Sequence, residues 1–250
     1  MLKKLMTAVL IVALAAGLAL AQTKKKIIFA SDATWPPMEF IDTNKKIVGF
    51  APELLEAMGK EGGFEVEIKN TAWDGIFAGL ENKKYDAISS SVSITDERKK
   101  AMDFSEPYFE VHQAIVIQSD KPIKSVADLK GKTVGAQIGT TGYFVAKKME
   151  GVEAKSYDEI GLAMEDLFSG RIDAVSCDDP VAAQYALQKD EYKGKMKIAF
   201  IVPAEEKEFY GFPVKKGDKE TLALINKGLK AVKEKGIYAK IKDKWIPPVK

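Results

Sequence analysis

The chain has 250 residues, with 38 basic and 36 acidic side chains, one cysteine and one histidine. The lone Cys177 excludes an intrachain disulfide, and one cysteine with one histidine argues against a structural zinc site, so no metal is expected. The near balance of charge gives no reason to expect nucleic acid or an anionic membrane surface as a partner.

The first 21 residues have the composition of a secretory signal peptide. Two lysines precede an apolar run over residues 5–20, and the run ends in Ala-Leu-Ala at 19–21, a small-residue cleavage pattern. The run is shorter than the roughly 20 apolar residues that a membrane-spanning helix needs. We therefore expect cleavage after Ala21 and a periplasmic or secreted protein, with an uncleaved membrane anchor as the alternative. Cleavage would leave 36 basic and 36 acidic side chains.

The rest of the chain alternates between β-rich runs and segments with helical spacing. The predicted strands are 27–30, 64–68, 85–92, 115–118, 133–136, 173–176 and 197–202. The predicted helices are 52–60, 74–82, 141–150, 157–168 and 180–189, with two more in 219–245 that break at Gly236. This succession predicts an α/β protein with largely parallel sheets. Because no flexible linker separates the halves, we expect two lobes joined by extended strands, with a ligand cleft between them.

Arg98 is the most informative residue, because all but two of the 38 basic residues are lysines. A guanidinium meets a carboxylate with two parallel hydrogen bonds, which an ammonium cannot reproduce. The serines in the preceding stretch, 89–93, could add further hydrogen bonds. The alternative is an ordinary pair with Glu97 or Asp103 on a solvated helix face. We assign the second arginine, Arg171, to structure.

Further polar and aromatic residues follow predicted strands at the point where each strand ends. Asp32 and Trp35 come after the first strand, Trp73 after the second and Asp178 after the strand ending near Ser176. Since ligands bind at the carboxyl ends of strands in α/β sheets, these residues are candidates for one site. Taken singly, the tryptophans could be core residues, Asp32 a turn former and Asp178 a helix cap.

A glycine-rich loop at 135–142 precedes a predicted helix and could present the amides of Thr140 and Thr141 to an anion. Residues 131–133 imitate the end of a phosphate-binding loop, but Val126 stands where the first glycine of that motif should be. The glycines also fail the spacing of a dinucleotide site. We therefore expect no nucleotide cofactor.

Together these motifs resemble the periplasmic amino-acid-binding proteins of ABC importers, the family of the lysine/arginine/ornithine-, histidine- and glutamine-binding proteins. The resemblance covers residues 26–245, nearly the whole mature chain. It is carried in order by D-A-T-W-P-P-M-E-F at 32–40, I-V-G-F at 47–50, W-D-G-I at 73–76, K-Y-D-A-I-S-S-S-V-S-I-T-D-E-R at 84–98, D-F-S-E-P-Y at 103–108, D-L-K-G-K-T-V-G at 128–135, Q-I-G-T-T-G at 137–142, and G-R-I-D-A-V at 170–175 with Asp178.

The resemblance implies a periplasmic-binding-protein fold of type II, in which two lobes joined by two hinge strands close on one amino acid. The first lobe would hold residues 24–111 plus 209–250, and the second would hold residues 112–208. The chain would cross near residues 111–114 and return near 209–212. The partners implied are a free amino acid and the membrane permease of an ABC importer, with the protein itself a monomer.

The resemblance also implies the roles of the site residues. Arg98 would grip the ligand α-carboxylate with the backbone amides of Ser93 and Thr141, and Asp178 would take the α-ammonium. Trp35 and Trp73 would flank the ligand side chain. The expected ligand-binding residues are Asp32, Trp35, Trp73, Ser90, Ser91, Ser93, Arg98, Thr141 and Asp178.

Ligand identity rests mainly on Asp32, which matches a carboxylate that reaches the distal cation in binders of basic amino acids. We therefore favour arginine or lysine, with glutamine and histidine possible. The chain lacks the disulfide of some such binders, and Gly142 is small where some have a side chain. Two other classes stay open: an exported dehydratase with Asp32 or Glu39 as general acid, and a ligand-sensing module of a signalling receptor. Because the Arg98 and Asp178 pair suits an α-amino acid and His112, the only histidine, falls near the expected hinge, we predict no catalytic residue.

Overall fold

The computed structural model of the chain describes residues 24–247. The predicted signal peptide over residues 1–21 and its cleavage site after Ala21 lie outside the described residues. Within residues 24–247, no helix combines the length and the apolar character that a membrane crossing requires.

The described chain alternates between short strands and helices. The strands are β1 (Lys26–Ser31), β2 (Thr34–Trp35), β3 (Glu39–Ile41), β4 (Ile47–Val48), β5 (Glu65–Asn70), β6 (Ala87–Ile88), β7 (Met102–Phe104), β8 (Phe109–Val111), β9 (Gln113–Gln118), β10 (Thr133–Gln137), β11 (Glu153–Tyr157), β12 (Ala174–Asp178), β13 (Met196–Ile201), β14 (Glu208–Tyr210) and β15 (Pro213–Lys215). The helices are α1 (Phe50–Gly62), α2 (Ile76–Glu81), α3 (Asp96–Ala101), α4 (Thr141–Lys148), α5 (Ile160–Phe168), α6 (Asp179–Ala183), α7 (Lys219–Glu234) and α8 (Ile237–Trp245). A 3-10 turn at Val126–Leu129 and a π turn at Gln184–Gln188 complete the elements.

The first sheet has five strands in the order β5-β1-β6-β15-β7. β1 pairs in parallel with β5 and β6, while β15 returns from the C-terminal part of the chain and pairs antiparallel with β6 and β7. Ile27 and Phe29 on β1 are fully buried. The strand between Lys26 and Ser31 is therefore central, and its carboxyl end lies beside those of β5 and β6.

Helix α1 packs on β5 and against α7 and α8. Its contact with α7 is close because Gly228 faces the α1 backbone, where an added Cβ would lie 2.6 Å from the Met58 carbonyl oxygen. Gly63 ends α1 in the left-handed conformation, at φ 82°. The close approach at Gly228 lets the C-terminal helices pack on the lobe that holds the N-terminal strands.

The second sheet has five strands in the order β11-β10-β12-β9-β13. β10 pairs in parallel with β11 and β12, and β9 pairs antiparallel with β12 and β13. Helices α4 and α5 both contact β10 and β12. The inner strands are apolar runs whose residues Ile115, Val116, Val134 and Val175 are fully buried, as expected of strands covered on both faces.

Two strands connect the sheets. β8 and β14 form an antiparallel pair with Val111 opposite Glu208, and β14 continues into a bridge between Tyr210 and Ser93. An aromatic cluster packs at this junction, in which the rings of Tyr108 and Phe212 stack with centroids 4.3 Å apart. The prediction of a two-lobed α/β fold joined by two strands is confirmed.

Several predicted elements differ from the observed ones. The predicted strand 85–92 is regular only at Ala87–Ile88, because the chain then leaves the sheet and Ser91 takes a left-handed conformation at φ 47°. The predicted helix 157–168 begins at Ile160, and the residues before it form the edge strand β11. Three of its five residues are exposed and polar, so it lacks the apolar run that identifies a central strand.

The sequence analysis also missed the shortest elements. The predicted helix 180–189 is regular only over Asp179–Ala183 and then widens into the π turn. Seven of the missed strands have no more than three residues each: the three strands of the sheet β2-β3-β4, and β7, β8, β14 and β15. Such strands are too short for a periodic pattern and form through long-range pairing.

Candidate functional site

Residues of both lobes line one cavity, which has room for about one water molecule (about 10 Å³). All nine residues predicted to bind a ligand line it, and Gln137 and Thr140 join them. The full lining is Asp32, Trp35, Trp73, Ser90, Ser91, Ser93, Arg98, Gln137, Thr140, Thr141 and Asp178.

The parallel strands bring the first-lobe residues together. Asp32, Trp73 and Ser90 follow β1, β5 and β6, which are neighbours in one sheet, so their side chains meet at one edge. The second lobe contributes Asp178 from the end of β12 and Thr141 from the start of α4. The strand-end argument therefore identified residues that the fold places together.

Arg98 lies in the cavity wall rather than on a solvated helix face. Its guanidinium donates from Nη1 to the Ser93 carbonyl oxygen at 2.9 Å and from Nη2 to the Gly139 carbonyl oxygen at 3.1 Å. Its centre is 5.6 Å from the Trp73 ring centroid and 5.2 Å from that of Phe77, within cation–π distance. Burial lowers its pKa to about 10, so it stays protonated at neutral pH.

Glu97 and Asp103, the alternative ion-pair partners considered for Arg98, form ion pairs with other residues. Glu97 pairs with Lys100, and Asp103 pairs with Lys216 at 2.8 Å. Arg171 forms an exposed ion pair with Asp166 at 2.8 Å, as the structural assignment of that arginine predicted.

Asp178 is buried at the end of β12. It accepts hydrogen bonds from Gln113 Nε2 at 2.6 Å and from the Tyr210 hydroxyl. Although it occupies the cap position of α6, its side chain makes no capping hydrogen bond and turns to the cavity. Burial, followed by repulsion from Glu208, raises its pKa to about 7. A neighbouring cation would favour its ionised form.

Asp32 connects the two lobes. Its Oδ2 accepts from Gln137 Nε2 of the second lobe at 2.7 Å, and its Oδ1 accepts from Thr34 Oγ1 at 2.9 Å. Its backbone amide donates to Ser90 Oγ at 3.0 Å. The bond to Thr34, two residues away, is the kind that a turn-forming aspartate makes, whereas the bonds to Gln137 and Ser90 join distant parts of the chain. Burial raises the Asp32 pKa, so an unpaired negative charge is costly here.

The two tryptophans are buried and also line the cavity. Trp35 is 6% exposed and Trp73 is 8% exposed. Trp73 meets Phe77 edge to face with centroids 5.2 Å apart, which fixes its ring beside Arg98. The indole nitrogen of Trp35 has no hydrogen-bond partner among the described residues. Core packing and cavity lining are thus combined in the same side chains.

Glu39 lies behind the cavity and is fully buried. Ser91 Oγ donates to its Oε2 at 3.1 Å, and burial raises its pKa well above the usual range. Glu39 thereby fixes the hydroxyl of a serine whose backbone is left-handed. Among the described residues, no group of three or more histidine, cysteine or acidic side chains is arranged to hold a metal ion.

Comparisons with known proteins identify the family. The profile of the bacterial extracellular solute-binding proteins, family 3, matches residues 27–248. The chain belongs to this family. It is 36% identical over 247 residues to ABC transporter arginine-binding protein 1 of Escherichia coli (98% of this chain, 100% of that protein). It is also 36% identical over 221 residues to the "Probable histidine-binding protein" of Neisseria gonorrhoeae (87% of this chain, 81% of that protein).

A solved structure gives the same result. An ancestral arginine-binding protein bound to arginine superimposes with a TM-score of 0.83 at 41% identity, covering 90% of this chain and 100% of that one. The protein is therefore a solute-binding protein, and the prediction that it belongs to the amino-acid-binding group is confirmed.

Sequence reasoning missed several residues of this solute-binding protein's site. Gln137 lines the cavity. Three other residues form hydrogen bonds to residues that line it: Gln113 and Tyr210 to Asp178, and Glu208 to Thr141. Gln137 and Gln113 are glutamines at the end and the start of apolar strands, a signal that could have been used. Glu208 follows Glu205 and Glu206 in an acidic stretch, so the sequence does not mark it out.

Proposed function

We propose that this protein captures one L-amino acid with a cationic side chain, arginine or lysine, and delivers it to the membrane permease of an ABC importer. It would act outside the cytoplasm as a monomer, after removal of residues 1–21. The observation that carries the proposal is the charge of the cavity. Among the lining residues, Arg98 is the one cation, while Asp32 and Asp178 are acidic.

The two ends of an α-amino acid match opposite walls of the cavity. A buried zwitterion needs each charge paired, since breaking one buried pair costs about 3–5 kcal/mol. Arg98 on the first lobe is suited to the carboxylate, and Asp178 on the second lobe is suited to the ammonium. A ligand that bridges these residues favours the closed arrangement of the lobes.

The remaining charge supports a cationic side chain. With Arg98 and Asp178 matched to the α-carboxylate and the α-ammonium, Asp32 is left over as a buried acid whose pKa is raised. A guanidinium or ammonium would pair with it, and the faces of Trp35 and Trp73 suit a cation. Glutamine has no charge to pair with Asp32, and the histidine side chain, with an unperturbed pKa of about 6.5, is mostly neutral at pH 7, so we place them second.

We further propose the boundaries of the lobes at the paired connecting strands, with residues 24–111 plus 209–250 in one lobe and 112–208 in the other. The antiparallel pairing of β8 with β14 supports this division, since the chain passes between the sheets at these strands.

A dehydratase would need a general acid in contact with its substrate. Glu39 has no exposed surface, and Asp32 is held by Gln137 and Thr34. We therefore assign no catalytic residue. A sensory module would bind the same ligand. The two functions differ in the partner of the loaded protein, which is the permease for transport and a receptor kinase for signalling.

The ligand can be tested by a thermal-shift screen of the twenty amino acids, ornithine and citrulline, on protein that has been unfolded and refolded to remove carried ligand. Arginine or lysine at a hundredfold excess over its Kd should add about 2.7 kcal/mol, or about 5 to 11 °C in Tm for a chain of this size. Citrulline, a neutral analogue of arginine, is the matched control. An equal shift with citrulline or glutamine would contradict the cationic assignment, and a chemically altered ligand after incubation would contradict the assignment as a non-enzyme.

The raised pKa of Asp178 predicts that arginine binding weakens in acid. The free protein holds a proton on Asp178 below about pH 7, whereas a paired ammonium needs the carboxylate ionised. Binding must then release that proton, so the Kd should be constant above pH 8 and rise by up to tenfold per pH unit below 7. Calorimetry from pH 5 to 8.5 measures the slope. Asp178→Asn should bind more weakly but without this slope, and an unchanged slope in the variant would assign the proton to another group.

A further inference from the structure

Glu208 is a carboxylate that the ligand-binding roles assigned above do not use. It begins β14, one of the two connecting strands, and its side chain is half-buried. The acids before it, Glu205 and Glu206, are exposed, and Lys207 pairs with Glu110 at 2.9 Å. Glu208 is thus the acid of this stretch whose side chain turns inward between the lobes.

Its hydrogen bonds come from both lobes. Oε1 accepts from Ser93 Oγ at 2.5 Å and from Thr141 Oγ1 at 2.6 Å, and Oε2 accepts from Gln113 Nε2 at 3.1 Å. Ser93 follows the first sheet, whereas Thr141 and Gln113 belong to α4 and β9 of the second lobe. The Ser93 and Thr141 hydroxyl oxygens are 3.3 Å apart. These contacts can coexist only when the lobes are closed.

The charge of Glu208 is held by these donors. Among the described residues no lysine or arginine lies within ion-pair distance of it, although Arg98 is near enough to attract it electrostatically, and two hydroxyls and an amide donate to its carboxylate. Hydrogen bonds to an ionised acceptor are about twice as strong as neutral ones. Because Glu208, Thr141 and Gln113 belong to the lobe 112–208, opening of the lobes would exchange the Ser93 bond for water and leave the other two in place.

We propose that Glu208 is a further positioning residue of the ligand site, which holds Ser93 of one lobe against Thr141 of the other and so favours the closed, ligand-holding arrangement. The inference rests on the proposed function, because Ser93 and Thr141 are the residues whose amides would meet the ligand carboxylate. Glu208 acts through them rather than through contact with the ligand.

The kinetic consequence separates this role from direct ligand contact. The open protein meets the ligand before the Glu208 bonds form, so Glu208→Ala should leave the association rate within about twofold of the parent. The closed complex loses its tie between the lobes, so the dissociation rate should rise at least tenfold. Glu206→Ala, which removes an exposed acid two residues away, is the matched control and should change neither rate. Stopped-flow tryptophan fluorescence with arginine measures both rates.

A second measurement, of the distance between the lobes, tests the proposal in the ligand-free protein as well as with arginine. Spin labels on cysteines introduced at exposed Lys83 of the first lobe and exposed Asp120 of the second report the distance between lobes, since native Cys177 is buried and escapes labelling. The fraction of molecules at the short, closed distance should fall in Glu208→Ala relative to both the parent and Glu206→Ala, with and without arginine.

The outcomes are distinct. If dissociation and the closed fraction are both unchanged in Glu208→Ala, the positioning role is wrong. A lower Tm of the ligand-free variant with unchanged dissociation would assign Glu208 to folding alone and also overturn the proposal. If the parent responds to no amino acid, the proposed function fails, and the closed fraction of the ligand-free protein still decides whether Glu208 ties the lobes.

Discussion

Asp32→Asn is expected to abolish binding of arginine and lysine while nearly sparing that of glutamine. A buried cation that loses its carboxylate costs about 3–5 kcal/mol, which corresponds to a Kd weaker by about 150- to 5,000-fold. A neutral amide loses only a hydrogen bond worth about 0.5–1.5 kcal/mol, or about 2- to 13-fold. Calorimetry of the refolded variant with arginine, lysine and glutamine measures the difference.

Asp120→Asn provides the matched control for this experiment, because it removes the same charge from an exposed turn after β9. That variant should bind all three amino acids like the parent. If Asp32→Asn instead loses affinity for all three by one modest factor, Asp32 is a turn residue and the cationic assignment is wrong. If its Tm without ligand also falls steeply, the bond to Gln137 is structural.

Arg98→Lys is expected to weaken binding of every α-amino acid by about 1.5–3 kcal/mol, or about 13- to 160-fold, with the fold intact. Lysine keeps the charge but has no planar fork for a carboxylate and cannot keep both carbonyl bonds, to Ser93 and Gly139. It also loses the guanidinium face that packs beside Trp73. Calorimetry with arginine measures the loss.

Two comparisons isolate the carboxylate role of Arg98. Arg171→Lys makes the same replacement in an exposed ion pair and should leave affinity unchanged. Agmatine, which is arginine without its carboxylate, should bind the Arg98→Lys variant and the parent alike. If agmatine is weakened as much as arginine, Arg98 supports the Trp73 wall and does not clamp the carboxylate.

Several residues of the cavity could be predicted because each follows a strand that the sequence indicates. An apolar run identifies a strand without knowledge of its partners, and a polar or aromatic residue at its end marks the edge where ligands bind. Asp32 and Asp178 satisfy that pattern, Trp73 follows a strand with alternating polar and apolar residues, and all three lie in one cavity. The choice of Arg98 over Arg171 rested on the serines that precede it, which also line the cavity.

The residues that hold this set in place could not be predicted in that way. Gln113 donates to residues 65 and 95 positions away, and Glu208 accepts from a serine 115 positions away. No local pattern encodes such contacts, since they exist only once the two sheets have formed and the connecting strands have paired. The pKa of Asp178 has the same origin, because burial and Glu208 raise it together.

The sequence by itself determined the α/β class, the order of the main helices and strands, and the residue types available at the strand ends, because periodicity and strand termination are local properties. Only the tertiary structure decided that Asp32 bonds to Gln137 across the lobes, that Asp178 turns to the cavity instead of capping α6, and that Glu208 faces inward. Each depends on which distant groups burial brings within about 3 Å, the range over which a hydrogen bond acts.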